Sequence, residues 1–532
     1  MKKNIIISCT DNIILESVKN LQKFDKWIMT FSIVYFLSGI FWGLDFTDGL
    51  FHINEAVLCS GKLPFETILT SHILLSMYPL IGNHLILWRL INALVLLFSF
   101  LLIYLIISKK AKHKNARTLF SFFIFIFTPM NYNIIGYDSF TILFTSIIIF
   151  FLFSFELTNK KNILVLSFLM ALSMLIRIPN IIIIPLMYIY FHAVRNKYQW
   201  SNSKMHQNYI VTVLFTLIIY FLYLLLTFGN PSHIINSFAS GNQHGITKMI
   251  HYYYEDVKKI IVFTSIFIVF YLLTTRQKKA NLLFNSLLII VVLLSLLYTH
   301  RFNFLFHWQY ALITSSFLIS FFIIQNISHK KISLTSIFIL LSMFSISFLS
   351  NTGLLKIVYL SNLAMLYFAE DLNRKTRLFL YYGILFFLPY AAIERISSTF
   401  EDKGYVDLTW QIKSEELECI FTTKKQSEYI NKISEISRQL KKEEYKVYYY
   451  GLGSHLFSFI DPSPRKKYSY YQVYNNPEEI NEIISDSANR KIAVMLFNLP
   501  SNSGHTTIVE KQLNQKGFRL DSDNYISIYV KK

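Results

Sequence analysis

Residues 27–56 read WIMTFSIVYFLSGIFWGLDFTDGLFHINEA. The run from Trp27 to Leu44 carries no charge, and as a helix rising 1.5 Å per residue it nearly covers the roughly 30 Å of hydrocarbon in a bilayer. It reads as a span. The chain then places Asp45, Asp48, His52 and Glu55 in quick succession, so the charges begin where the span ends.

The pattern of apolar runs bounded by polar loops continues. About thirteen stretches of spanning character follow one another, near residues 27–44, 85–107, 118–135, 139–156, 162–176, 181–194, 209–228, 260–274, 282–298, 308–325, 333–349, 355–369 and 378–396. With 53% hydrophobic and 17% aromatic residues and a mean hydropathy of +0.40, the chain of 532 residues is too apolar for a soluble multidomain protein. The expected architecture is an α-helical polytopic membrane protein over 1–396, with an outer loop at 45–84, followed by an extracytoplasmic α/β domain over 397–532.

The net charge of +19 is topogenic and does not mark a nucleic-acid surface, which would gather it on one solvated face. The N-terminal tail and the loops after even-numbered spans hold 23 Lys and Arg against 6 Asp and Glu. The opposite loops hold 8 against 7, and everything from Glu394 onward 20 against 19. Positive residues stay inside, so the N-terminus is expected in the cytoplasm and the C-terminal part outside. Residues 1–26 show no cleavable signal, and the first span is read as a signal anchor. Cys9, Cys59 and Cys419 do not form a disulfide framework.

From about residue 400 the charge becomes dense and balanced. SEYINKISEISRQLKKEEY reads as an amphipathic helix with Ile430, Ile433 and Leu440 on one side, and KVYYYG as the strand after it. A second helix carries Ile480, Ile483 and Ile484; KIAVMLFNLP reads as the next strand, then a helix ending at Gly517, then FRL and YISIYV about the turn DSDN. GLGSHLF lacks the third glycine of a dinucleotide fingerprint, and no P-loop, HExxH, GxSxG or paired CxxC occurs.

A helix begun at Thr47 would bring Asp48, His52, Glu55 and Cys59 onto one stripe, with Leu50, Ile53 and Val57 opposite and facing lipid. A solvated stripe and a catalytic one both fit that geometry; one histidine with two carboxylates is weak grounds for a metal, and no cofactor is indicated. Other outer loops add Tyr137 and Asp138, Arg177 in LIRIPN, His300, Arg301 and His307 in THRFNFLFHW, and Asn351 and Lys356 in SNTGLLK. Singly, Arg177 and Lys356 read as snorkelling residues. Together these groups present acids and bases on one face.

The acids after the first span with GLFHINEA and GKLPFETI, the Tyr-Asp start of a later span, the RIPN turn, the SNTG loop and the exported tail together resemble the GT-C superfamily of membrane glycosyltransferases. The likeness is to bacterial members related to protein mannosyltransferases and aminoarabinose transferases. It implies a polyprenyl-phosphate sugar donor, an active site at the outer face of the bacterial cytoplasmic membrane, inverting transfer to a glycan, lipid or protein acceptor, and a catalytic acid at Asp48 or Asp45. His52, Glu55, Tyr137, Asp138, Arg177, Arg301, His307, Asn351 and Lys356 are the expected substrate-binding residues. Two other classes compete. An O-antigen ligase or polymerase would use a pyrophosphate-linked glycan and keep its large exported portion between spans. A transporter or flippase would place ionisable groups near the midplane.

Overall fold

The computed structural model describes residues 27, 30–44, 50–58, 65–110, 134–229, 246–276, 312, 315–320, 322–324, 334–349, 354, 356, 398–399, 402–403, 406–451, 453–462, 485, 491–497, 511, 513–523 and 526–531. Among them the helices, in chain order, are α1 (Thr30–Phe41), α2 (Phe51–Leu58), α3 (Ile68–Ile81), α4 (Leu85–Lys110), α5 (Tyr137–Ser154), α6 (Lys160–Ile176), α7 (Ile183–Val194), α8 (Asn202–Phe228), α9 (Ile246–Arg276), α10 (Leu334–Phe344), α11 (Lys424–Lys442) and α12 (Ser454–Ile460). Leu85–Ile106, Tyr137–Ser154 and Asn202–Phe228 are long and apolar enough to cross a membrane, and they make the chain a membrane protein. The expected spans near 118–135, 282–298, 355–369 and 378–396 lie wholly or almost wholly outside the described residues.

The helices sort their residues as lipid demands. On α8 the buried positions are Met205, Asn208, Thr212, Thr216, Tyr220 and Leu224, three or four apart, while Ile210, Leu214, Phe221, Leu222 and Leu225 are exposed. Polar groups turn inward and apolar ones outward, the reverse of a water-soluble helix. The Thr216 hydroxyl donates to the Ser167 carbonyl of α6 at 3.3 Å, and small polar residues at such a contact let two helices approach closely. Local signals set the ends. Asn159 caps α6 by accepting from the Lys161 N–H. Ser201 does the same for α8 from Lys204, and Gly229, at φ 68°, closes that helix in the left-handed conformation that glycine adopts without strain.

The chain divides into two compact units: Met1–Leu37, Val95–Asn131 and Thr141–Glu394 form one, and Ser38–Leu94, Tyr132–Phe140 and Arg395–Lys532 the other. In the first, α7 packs on α10 through Tyr190 and Phe338, whose ring centroids lie 5.0 Å apart.

The second unit is built on a mixed sheet of β5 (Lys446–Gly451), β6 (Ile492–Phe497), β7 (Arg519–Asp523) and β8 (Ile526–Lys531), in the order β5-β6-β8-β7. Two-residue strands precede it: β1 (Ser398–Thr399) pairs with β2 (Asp402–Lys403), and β3 (Trp410–Gln411) with β4 (Phe421–Thr422). β5 and β6 run parallel from Lys446↔Ile492 to Gly451↔Phe497, whereas β6/β8 and β7/β8 are antiparallel. Alternate residues Tyr448, Tyr450, Ile492, Val494 and Leu496 face one side, where Leu513, Phe518 and Tyr529 complete a core. α11 covers the sheet with Ile430 and Ile433 as its sequence predicts, and Thr423 caps it. α1, at Thr30–Phe41, is shorter than the expected first span and than a bilayer crossing requires, and two contacts join the residues just after it to this part of the chain. Trp42 bridges Phe421 in parallel, and the Gly43 N–H donates to the Phe421 carbonyl at 2.9 Å.

One helix within the expected outer loop is not apparent from its sequence. α3, with Ile68, Leu74 and Ile81 buried, has 14 residues, fewer than a helical span requires.

Candidate active site

The second unit gathers several of the expected residues around α2. Asp45 and Asp48 themselves lie outside the described residues, as do Arg301, His307 and Asn351. The chain leading into the acids is held by α4. Arg89, 1% exposed, donates from Nη1 to the Ile40 carbonyl at 3.0 Å and from Nη2 to the Gly43 carbonyl at 2.7 Å. A guanidinium suits this task because its rigid fork satisfies two carbonyls left open where a helix ends. One turn further along α4, the Asn92 carbonyl oxygen accepts from the Ser139 hydroxyl at 2.5 Å. The same helix face therefore holds both the segment ending at Leu44 and the start of α5, where Tyr137 and Asp138 lie.

α2 has apolar contacts on more than one side. Leu50 and Ile53 are each 1% exposed, so the expectation that this face lies in lipid is corrected: protein covers it. Asn54 is also buried, and its amide donates to the His455 carbonyl at 2.6 Å. Phe51 packs edge-on against the His455 ring, centroids 5.4 Å apart.

His52 and Glu55, one turn apart, occupy the next face. His52 Nδ1 lies 3.9 Å from a Glu55 carboxylate oxygen, and the two side chains are 20% and 14% exposed. That separation is an ion-pair distance and too long for a hydrogen bond. The His52 ring meets Tyr137 edge-on at 4.5 Å. Gly136 comes so close to the imidazole that a Cβ there would lie 3.1 Å from His52 Cδ2. Burial pushes the Glu55 carboxyl above its ordinary 4.5, and the neighbouring imidazole opposes this only partly. The carboxyl of Glu66 is also raised, first by desolvation and then by the charge of Glu55. A carboxyl so placed keeps its proton to higher pH and is a stronger base once ionised.

Arg177 and Lys356 belong to the first unit. Neither snorkels. Arg177, 7% exposed, donates to the Ile346 carbonyl at 2.9 Å, and Lys356 is buried at 4%. Two residues before Lys356, the Leu354 N–H donates to the Asp256 carboxylate at 2.8 Å. Among the described residues no group of three His, Cys, Asp or Glu side chains is placed to hold a metal ion. Cys419 is a free, exposed thiol, and Cys59 lies outside the described residues.

Sequence reasoning passed over Glu66, Asn54 and His455. The glutamate stands in GKLPFETI, read only as part of a loop pattern, and the histidine in GLGSHLF, tested only against a nucleotide fingerprint. Asn54 and His455 are 401 positions apart, and no local pattern signals such a pairing.

No protein-family model matches the sequence, and no curated protein matches it. Among solved structures, the crystal structure of ArnT from Cupriavidus metallidurans bound to undecaprenyl phosphate aligns with 95% of this chain and 97% of that chain, at a TM-score of 0.45 and 11% identity.

Proposed function

We propose that this chain is an inverting glycosyltransferase of the GT-C type, which moves a sugar from a polyprenyl-phosphate donor to an acceptor hydroxyl at the outer face of the bacterial cytoplasmic membrane. The observation that supports the reading is the grouping of His52 and Glu55, which follow Asp45 and Asp48 in the sequence, with Tyr137 at the start of α5, while Arg89 holds the carbonyls of Ile40 and Gly43 just before the acids. A hydroxyl is a poor nucleophile, and a carboxylate within reach accepts its proton as it attacks the anomeric carbon. Asp48 takes that role, with His52 or Glu55 orienting it, and Asp45 marks the end of the first span. The carbon–oxygen bond to the lipid phosphate breaks as the new glycosidic bond forms, so one displacement inverts the configuration. Arg177, Arg301 and Lys356 are the cations proposed to meet the phosphate's growing charge, with Asp138, His307 and Asn351 among the groups that bind the two substrates.

The test compares Asp48→Asn with Asp45→Asn in the purified full chain at matched expression. Asparagine keeps the shape and removes the basic oxygen, so Asp48→Asn is expected to lower turnover roughly 10²-fold or more while Asp45→Asn is milder. The opposite ranking exchanges the two roles, and full activity in both variants removes this loop from the chemistry.

A further inference from the structure

α2 spans eight residues, Phe51–Leu58. A helix this short does not hold itself in water, and its orientation comes from what it packs on. Phe51, Asn54 and Leu58 stand three or four apart and so share a face. Phe51 and Leu58 form one apolar cluster, with Val57 against it. His455, which receives Phe51 and Asn54, is 2% exposed on α12, also a short helix.

α12 is in turn locked to the sheet. Asp461 directly follows it, and its carboxylate accepts from Tyr449 of β5 at 2.6 Å and from Ser437 of α11 at 2.8 Å. Lys441 of α11 pairs with the same carboxylate. This buried network satisfies its charge and resists movement, as fully paired polar clusters do.

The rings continue in sequence from His455 to Phe51, from Phe51 to His52 at 5.0 Å, and from His52 to Tyr137, each pair near edge-on. We propose that His455 is a positioning residue: its ring against Phe51 and its carbonyl on Asn54 fix the rotation of α2 about its axis, and so the direction of His52 and Glu55. On this account the C-terminal sheet forms part of the loop's orienting framework. The inference rests on the loop reading given under Proposed function, but its physical content does not depend on which reaction the loop serves.

Hydrogen–deuterium exchange on the purified full chain tests it. His455→Ala is expected to speed exchange of the α2 amides by about 3- to 10-fold, the size of a lost aromatic edge contact, while β5 and β6 keep their protection. Asn54→Ala, made from the other side of the contact, should have a similar effect. His455→Phe keeps a ring against Phe51 and should return exchange to within about 2-fold of wild type. Sugar transfer should follow the same order, with kcat falling about 10-fold or more in His455→Ala, because small displacements of oriented groups are costly.

Unchanged α2 exchange in His455→Ala overturns the proposal. So does equal loosening of β5 and β6, which marks a general structural residue, or a phenylalanine variant as impaired as the alanine one. If α2 responds as expected but the wild-type chain transfers no sugar, the positioning stands and the glycosyltransferase reading fails.

Discussion

Replacing Arg89 should disturb both stability and the loop that carries the acids. Its guanidinium is almost wholly buried and makes two bonds, at 3.0 and 2.7 Å, to the carbonyls of Ile40 and Gly43 at the end of α1. A hydrogen bond from a charged donor contributes about 1.5–3 kcal/mol, and an unsatisfied buried acceptor costs a comparable amount. Arg89→Ala is therefore expected to destabilise the second unit by about 3–6 kcal/mol. Arg89→Lys, whose ammonium is a single point donor, should recover about half of that loss. The Gly43 carbonyl lies two positions before Asp45 and five before Asp48, so activity should fall more steeply than stability. The assay is thermal unfolding of the detergent-purified full chain, followed by turnover at a temperature where each variant remains folded. A midpoint for Arg89→Ala within about 1 °C of wild type would refute the reasoning, since about 1 kcal/mol alone moves a midpoint by several degrees.

Three further outcomes are expected. Folded Glu55 holds its proton more tightly than the unfolded chain does, so its contribution to stability is full below the ordinary 4.5 and is lost as pH rises through the raised folded value. Glu66 acts in the same sense. Glu55→Gln should flatten the fall in melting temperature as pH rises above the ordinary 4.5, and a variant as pH-sensitive as wild type would contradict this. Gly136→Ala puts a methyl 3.1 Å from His52 Cδ2 and should cost about 1–3 kcal/mol through overpacking while lowering turnover; a neutral result in melting and turnover means the imidazole yields freely. Reporters fused after Lys114, Lys279 and Lys375 should report cytoplasm, and one after Lys532 the exterior; a cytoplasmic C-terminus would overturn the outer-face placement of the site.

What the sequence discloses here depends on how local the cause is. Spans such as α4, α5 and α8 are legible because lipid requires a long uncharged run, and α11 because Ile430 and Ile433 recur at the helical period on a polar helix. The β7–β8 hairpin is legible from two alternating runs, but the expected turn DSDN is corrected: β7 continues through it, pairing Asp521, Ser522 and Asp523 with Ile528, Ser527 and Ile526 of β8. α3 is hidden because it is too short to declare itself as a span. The stripe of His52 and Glu55 follows from helical spacing, but which faces of α2 are covered does not. Leu50 and Ile53 would look the same against lipid or protein. The clasp of Asn54 on His455, and Gly43 on Phe421, arise from chain segments hundreds of positions apart. Such pairings are decided by tertiary packing. The same holds for Arg177, whose helix-end position fits snorkelling but whose guanidinium is buried and donates from Nη1 to the Ile346 carbonyl.

The most direct measurement of the central claim is sugar transfer by the purified full chain, supplied in parallel with polyprenyl-monophosphate and polyprenyl-pyrophosphate donors carrying the same labelled sugar. The product is analysed for anomeric configuration. Transfer from the monophosphate donor, inversion at the anomeric carbon, and loss of that transfer in Asp48→Asn are expected. Transfer confined to the pyrophosphate donor would contradict that claim in favour of a ligase or polymerase, and retention of configuration would contradict the single displacement on which the roles of Asp48, His52 and Glu55 depend.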